Sequence, residues 1–246
     1  MSDEITVIIT SSPCKRHPST EMIFETIKLI RKQLTSKIII LLDGVKPEQE
    51  YLRDAYEQYK VDLMFWLTAQ DNIEAIAFPD FQHQTGMIKN IIPTVKTPFV
   101  LFIEHDFPVV GHIPWNNIGN VLRTGKANLV RFYLEDKLIP QHRHMFVNQE
   151  PELIDGVPLI KTSQWSQRPH ICHTQLYRQI VDQYITGNKT YIEDDIHGRF
   201  AIDFTQSKNP EKDWGKHKLT IYSPRGNISR CKHLDGRMEE RKYGLE

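Results

Sequence analysis

Several signatures that would assign a chemistry at sight are missing from this chain. No GxGxxG follows the first apolar run, no GxxxxGK[ST] occurs and no GxSxG is present. A dinucleotide-binding crevice, a P-loop and a hydrolase nucleophile elbow are therefore unsupported. Excess charge is missing too. The 31 basic and 31 acidic side chains cancel, whereas binders of nucleic acid or anionic membranes usually carry a basic surplus; no nucleic-acid partner is expected. No apolar run approaches the ~18 residues of a membrane span. The opening MSDEITVIIT has acids where a secretory signal carries lysine or arginine. The expectation is a cytoplasmic protein without a transmembrane segment. Cysteine is scarce: Cys14, Cys172 and Cys231, odd in number and far apart, read as free thiols in a reducing compartment.

What is present suffices for one buried core. The 246 residues are 39% hydrophobic and 25% charged, ordinary for a globular domain. Ile5–Thr10 is a β-branched run ending at a Ser-Ser-Pro turn. Between Thr20 and Leu34 the apolar residues recur at helical spacing. Lys37–Leu42 (KIIILL) is continuously apolar, as a parallel strand covered on both faces must be. A helix is predicted over Pro47–Tyr59 and a third strand over Asp62–Leu67 (DLMFWL). A loop over Asp71–Phe81 follows, then a helix over Gly86–Val95 and a fourth strand over Phe99–Ile103.

This strand–helix alternation predicts an α/β fold with a mostly parallel central sheet flanked by helices. Ligands then belong at the carboxyl ends of the strands, which here carry Ser11, Asp43 and Glu104-His105-Asp106. Further strands are predicted over Asn128–Leu134, Val157–Thr162 and Leu219–Tyr222. Helices are predicted over His173–Ile185 and within Tyr191–Ile202, and a mobile loop over Ser207–Lys218. No repeat or composition shift divides the chain, so residues 1–246 are read as a single domain.

FVLFIEHD, residues 99–106, is the most informative segment. An apolar strand delivers Glu104 and Asp106, one residue apart, to its carboxyl end, and hard divalent cations prefer such oxygen ligands beside substrate phosphates. Two charges that simply end a buried strand are the plain alternative. Asp43-Gly44 closes the second strand. Its carboxylate suits a ribose or a base, although Asp-Gly is also an ordinary turn pair. Lys89, in GMIKN, is placed to approach a diphosphate or to sit in solvent. In YIEDDIHGR the adjacent acids Glu193, Asp194 and Asp195 repel one another, which favours a proton or a cation nearby. His170, Cys172, His173, Cys231 and His233 lack the paired CxxC or HxxxH spacing of structural zinc. His233 stands apart from them as a candidate third metal ligand.

In this order the motifs resemble the inverting GT-A glycosyltransferases, closest to the large family 2 group, over Ile5 to Arg237. FVLFIEHD stands where that family carries DxD, with Glu104 for its first aspartate. IEDD resembles the family's ED motif, with Arg199 downstream. The resemblance implies the GT-A (nucleotide-diphospho-sugar transferase) fold, with a nucleotide-binding half over about residues 1–106 and an acceptor-binding half over about 107–246. It implies transfer of a hexosyl or deoxyhexosyl group from a nucleoside-diphosphate sugar to a glycan or other hydroxyl acceptor, with inversion. Ser11, Asp43, Lys89, Glu104, His105 and Asp106 would then bind the donor. Glu104, Asp106 and His233 would hold Mn2+ or Mg2+. Asp194, flanked by Glu193 and Asp195, would take the acceptor proton, and Trp165 and Arg168 would meet the acceptor. Lys89 replaces an arginine usual in the family, and a point charge lacks arginine's bidentate grip.

Two other readings remain. A sugar-phosphate nucleotidyltransferase wants a glycine-rich basic loop after the first strand, and SSPCKRHP has the basic residues without the glycine. A non-catalytic nucleotide-sugar-binding module would keep the fold without the base.

Overall fold

Alternate residues of the apolar runs enter two separate cores. In the computed structural model, which describes residues 1–134, 140–185, 187, 189–196, 209–224 and 229–235, β1 (Ile5–Ser11), β2 (Lys37–Leu42) and β4 (Phe99–Glu104) are central strands. Ile5, Val7 and Ile9 of β1 pack on one face, together with Ile38 and Ile40 of β2 and Leu101 and Ile103 of β4. Ile8, Ile39, Leu41, Val100 and Phe102 pack on the other. This is the period of two that a doubly covered strand imposes. At roughly 1.5–3 kcal/mol for each large apolar side chain removed from water, these rows outweigh any single surface contact.

Helices α1 (Glu21–Arg31), α2 (Arg53–Leu67) and α4 (Trp115–Arg123) cover the first face. Helices α3 (His83–Ile91) and α5 (Thr174–Tyr184) cover the second. With β3 (Ile73–Ala77), β5 (Leu129–Phe132), β6 (Glu152–Ile154), β7 (Val157–Thr162), β8 (His170–His173) and β9 (Leu219–Tyr222), the described strands form one nine-stranded sheet. Its order is β3-β2-β1-β4-β8-β5-β9-β7-β6. β3, β2, β1 and β4 are mutually parallel, with Ile8 opposite Ile39 on one side and Phe102 on the other. β8 runs antiparallel to both β4 and β5, β9 parallel to β5, and β7 antiparallel to β9 and β6. The predicted α/β architecture is the one observed, with a mixed second half. Among the described residues no helix is long and apolar enough to cross a membrane.

Three local expectations are corrected. Asp62–Leu67 is not a strand but the last part of α2. Tyr56, Tyr59 and Leu63 form the buried helical stripe, while Val61, Met64 and Phe65 face outward, Phe65 being 80% exposed. A local cluster of apolar residues imitated a strand because half of it is not buried at all. The third strand is instead β3, inside the segment read as a loop; it pairs with β2 along Ile38–Leu42 but is only partly buried, so its IEAIA pattern is weak. The helix expected over His173–Ile185 is α5, beginning one residue later; no element was expected over residues 170–172, which are buried in β8 between β4 and β5. The expected loop over Ser207–Lys218 contains α6 (Pro210–His217). Asn209 caps it, its side chain accepting from the Lys212 amide at 3.1 Å, with proline in the first turn. Residues 192–196 are helical, as expected of the acidic segment. Arg199, the rest of that predicted helix to Ile202, and Arg237 lie outside the described residues.

Candidate active site

The carboxyl ends of β1, β2 and β4 open into a cavity of about 810 Å³. Its floor comes from β4 and the residues after it: Glu104, His105, Asp106 and Phe107. The segment 229–235 runs back beside this floor. Val109 bridges Cys231, the Val110 amide donates to the Arg230 carbonyl at 2.8 Å, and the Leu234 amide donates to the Asp106 carbonyl at 2.8 Å. Cys231 is fully buried, its thiol 3.5 Å from the Phe132 carbonyl, so it anchors the segment. The pairing lays the His233 ring flat on Phe107, with centroids 3.9 Å apart and planes at 18°.

There, Asp106, His233 and Asp235 each offer a ligand atom within 4.8 Å of the others. His233 Nδ1 lies 3.8 Å from Asp106 Oδ2 and 4.0 Å from Asp235 Oδ1. It is buried and has no hydrogen-bond partner. A buried imidazole nitrogen left unpaired between two carboxylates is costly unless something uses it. Two carboxylate oxygens and one imidazole nitrogen suit a manganese- or magnesium-like cation. The residues present therefore fit the implied metal.

The loop after β1 supplies Lys15 and Arg16 to the cavity, and Arg16 also donates to the Asp235 carbonyl at 3.2 Å. Lys46 lines it from beyond β2. From the α3 side come Phe81, His83 and Gln84, with Gln84 Nε2 donating to Glu104 Oε1 at 2.6 Å. His83 has φ +55° and packs edge-on against Tyr191 at 4.4 Å. Burial holds its pKa below the usual histidine value, helped by Lys46 and opposed by Asp194. The far wall holds Gln164, Ser166, Gln167, Arg168 and Glu193. The Gln167 amide donates to Glu193 Oε2 at 3.1 Å, and the Arg168 guanidinium lies over the Tyr133 ring at 5.3 Å.

No protein-family model matches the chain, and no curated protein does. Solved structures do. The 1–349 fragment of Staphylococcus aureus TarS superposes with a TM-score of 0.57 at 12% identity, over 98% of this chain and 64% of that one. The same fragment in complex with UDP-GlcNAc gives 0.56 at 11%, over 93% and 58%. GalNAc-T7 with UDP, GalNAc and Mn2+ gives 0.56 at 9%, over 93% and 43%. The chain thus spans less than two thirds of each of these structures. The neighbours are GT-A glycosyltransferases.

The chain has the GT-A fold.

Of the residues singled out in the sequence, the GT-A framework brings Glu104, His105, Asp106, Arg168, Glu193 and His233 to one cavity. It places others elsewhere. Ser11 is buried, its hydroxyl 3.1 Å from that of Tyr59, and its neighbour Ser12 lines the cavity instead. Asp43 is fully buried and accepts from the amides of Gly44 (2.8 Å), Gln82 (2.7 Å) and His83 (3.0 Å). Burial raises its pKa and these donors oppose the rise. Its carboxylate shapes the entry to α3. Lys89 sits exposed in the last turn of α3. Trp165 is 1% exposed and packs edge-on against His170 and Tyr177 in the core. Asp194 is exposed, and neither it nor Asp195 lines the cavity.

Sequence reasoning missed Asp235, although His233-Leu234-Asp235 repeats the spacing of Glu104-His105-Asp106. It also missed Lys46, His83 and Gln84, for which the sequence holds no distinctive signal.

Gly44 makes the close approach of the loops after β2 and β3 testable. A Cβ there would lie 2.2 Å from the Asp80 carbonyl carbon and 2.3 Å from the Phe81 amide nitrogen. Gly44→Ala must push this backbone away and disturb the Asp43–Gln82 bond. We expect a loss of roughly 1–3 kcal/mol in urea unfolding; an unchanged midpoint would contradict the close approach.

Proposed function

We propose that this protein is a metal-dependent glycosyltransferase that moves a hexosyl or deoxyhexosyl group from a nucleoside-diphosphate sugar to a hydroxyl acceptor with inversion. The observation that carries the reading is the Asp106–His233–Asp235 group at the floor of a strand-end cavity also lined by Lys15, Arg16 and Lys46. Three cations beside a carboxylate–imidazole set match a ligand whose phosphates need both direct neutralisation and a bridging metal. The neighbours support the donor class: TarS was solved with UDP-GlcNAc, and GalNAc-T7 with UDP, GalNAc and Mn2+.

Asp106, His233 and Asp235 would hold Mn2+ or Mg2+, with Glu104 beside them held by Gln84. Such a cation, when bound, neutralises charge that builds on a diphosphate leaving group. Lys15, Arg16 and Lys46 bind and orient the phosphates. On the far wall, Glu193 is better placed than Asp194 to take the acceptor proton, because it alone of the three acids lines the cavity. The Gln167 amide fixes one of its oxygens and leaves the other for the hydroxyl. The acceptor oxygen bonds to the anomeric carbon as the carbon–oxygen bond to the diphosphate breaks, and Glu193 receives the hydroxyl proton. Arg168, above Tyr133, and the exposed ring of Tyr191 form the acceptor side.

A thermal-shift panel separates this reading from a nucleotidyltransferase, and donor turnover separates it from a module that binds nucleotide sugar without reacting it. A nucleoside diphosphate with Mn2+ should raise Tm, since ligand at 100 times its Kd adds about 2.7 kcal/mol. Chelation should remove the rise. Stabilisation only by a nucleoside triphosphate with a sugar phosphate would contradict the proposal, as would no response to any nucleotide.

A further inference from the structure

Cys14, His17 and His105 meet where the loop after β1 crosses the end of β4, each offering a ligand atom within 4.8 Å of the others. His17 is 7% exposed and is stacked on Tyr59 at 4.2 Å, beside Tyr56 at 4.9 Å. Its Nε2 is buried without a hydrogen-bond partner, and so is Nε2 of His105. Two unpaired imidazole nitrogens beside one thiol are not explained by packing, because each buried polar atom normally finds a partner. Of the three, the transferase reading touches only His105, which the resemblance places on the donor side, and it gives Cys14 and His17 no role.

We propose that Cys14, His17 and His105 form a zinc site, chemically separate from the Asp106–His233–Asp235 group. A thiolate with two imidazoles is a soft-to-borderline set that favours zinc over manganese or magnesium, whereas the neighbouring group is oxygen-rich. Burial keeps His17 neutral, its pKa lowered to about 3, with His105 contributing, so protonation does not compete for its lone pairs near neutral pH. The Cys14 thiol is raised above its usual value, first by burial, and is protonated until a metal displaces the proton. Binding therefore releases the Cys14 proton to solvent as the sulfur–zinc bond forms. His17 Nδ1 now accepts the Cys14 amide at 3.1 Å, which puts its ring proton on Nε2. Coordination through Nε2 moves that proton to Nδ1 and opens the amide bond, so one neutral hydrogen bond is exchanged for a metal bond. Cys14 and His105 line the cavity, which leaves the fourth zinc position open on that side.

The inference does not depend on the transferase reading, and its test needs no activity. Chelator-treated protein is titrated with Co2+ in excess Mn2+, then with Zn2+. The expected result is a thiolate-to-cobalt charge-transfer band at one equivalent that zinc abolishes. Cys14→Ala should lose the band, and should lose more zinc affinity than the ~10–100-fold typical when an outer-shell partner is removed. Asp106→Asn should keep the band. X-ray absorption at the zinc edge of the parent protein should show one sulfur and at least two nitrogen neighbours, which guards against a variant that fails to fold. No band, a band that survives Cys14→Ala, or a shell of light atoms without sulfur would overturn the site.

Discussion

Glu193→Gln is expected to bind nucleoside diphosphate and Mn2+ as the parent does, yet to transfer sugar ~10²–10⁴-fold more slowly, which is about 3–5 kcal/mol of barrier. The amide keeps the size of the side chain and one acceptor for the Gln167 amide, which now donates at 3.1 Å, but it cannot take the acceptor proton. Asp194→Asn and Asp195→Asn are the comparisons. Both lie outside the cavity lining, and Asp194 opposes the lowering of the His83 pKa that burial causes. Losses below tenfold are expected for Asp194→Asn. A large loss there with full activity in Glu193→Gln would move the base one residue along and restore the order read from the sequence. Normal turnover in all three amides would remove the base from this segment altogether.

Asp106→Asn should abolish the metal-dependent part of nucleoside-diphosphate affinity and lower transfer by ~10³-fold or more, about 4 kcal/mol, because charge stabilisation by a catalytic metal amounts to several kcal/mol. The substitution removes one of the two carboxylates facing His233 Nδ1. The fold should survive, since Asp106 follows β4 and its carbonyl, not its carboxylate, holds the Leu234 amide. Calorimetric titration of the diphosphate with Mn2+ and with chelator reads the difference. Equal affinity in the parent and the variant, both metal-dependent, would assign the metal elsewhere.

How far the sequence was legible depended on whether a segment's pattern had a single cause. ITVIIT, KIIILL and FVLFI are short, β-branched-rich apolar runs, as a strand covered on both faces requires, and each is a central strand. DLMFWL failed because Met64 and Phe65 are exposed on α2, so their apolarity carried no burial information. β3 failed for the opposite reason: as an edge strand it is only partly buried. For the site, strand ends were legible and side-chain directions were not. Glu104, His105 and Asp106 reached the cavity because β4 ends there. Asp43 also ends a strand, yet it turns inward to three amides. The partnership of His233 with Asp106 depends on a return segment 127 positions away (233 − 106), held by backbone bonds that no local pattern encodes. Cys14, His17 and His105 meet for the same kind of reason, across two strands adjacent in the sheet but far apart in sequence.

The most direct test of the central claim is donor turnover. Purified protein is incubated with a panel of nucleoside-diphosphate sugars and Mn2+, with water or simple sugars as acceptor, and released nucleoside diphosphate is measured. We predict that at least one sugar nucleotide yields nucleoside diphosphate and free or transferred sugar, that chelation stops the release, and that Asp106→Asn does not show it. Release of pyrophosphate from a nucleoside triphosphate and a sugar phosphate, with every sugar nucleotide left intact, would contradict the account.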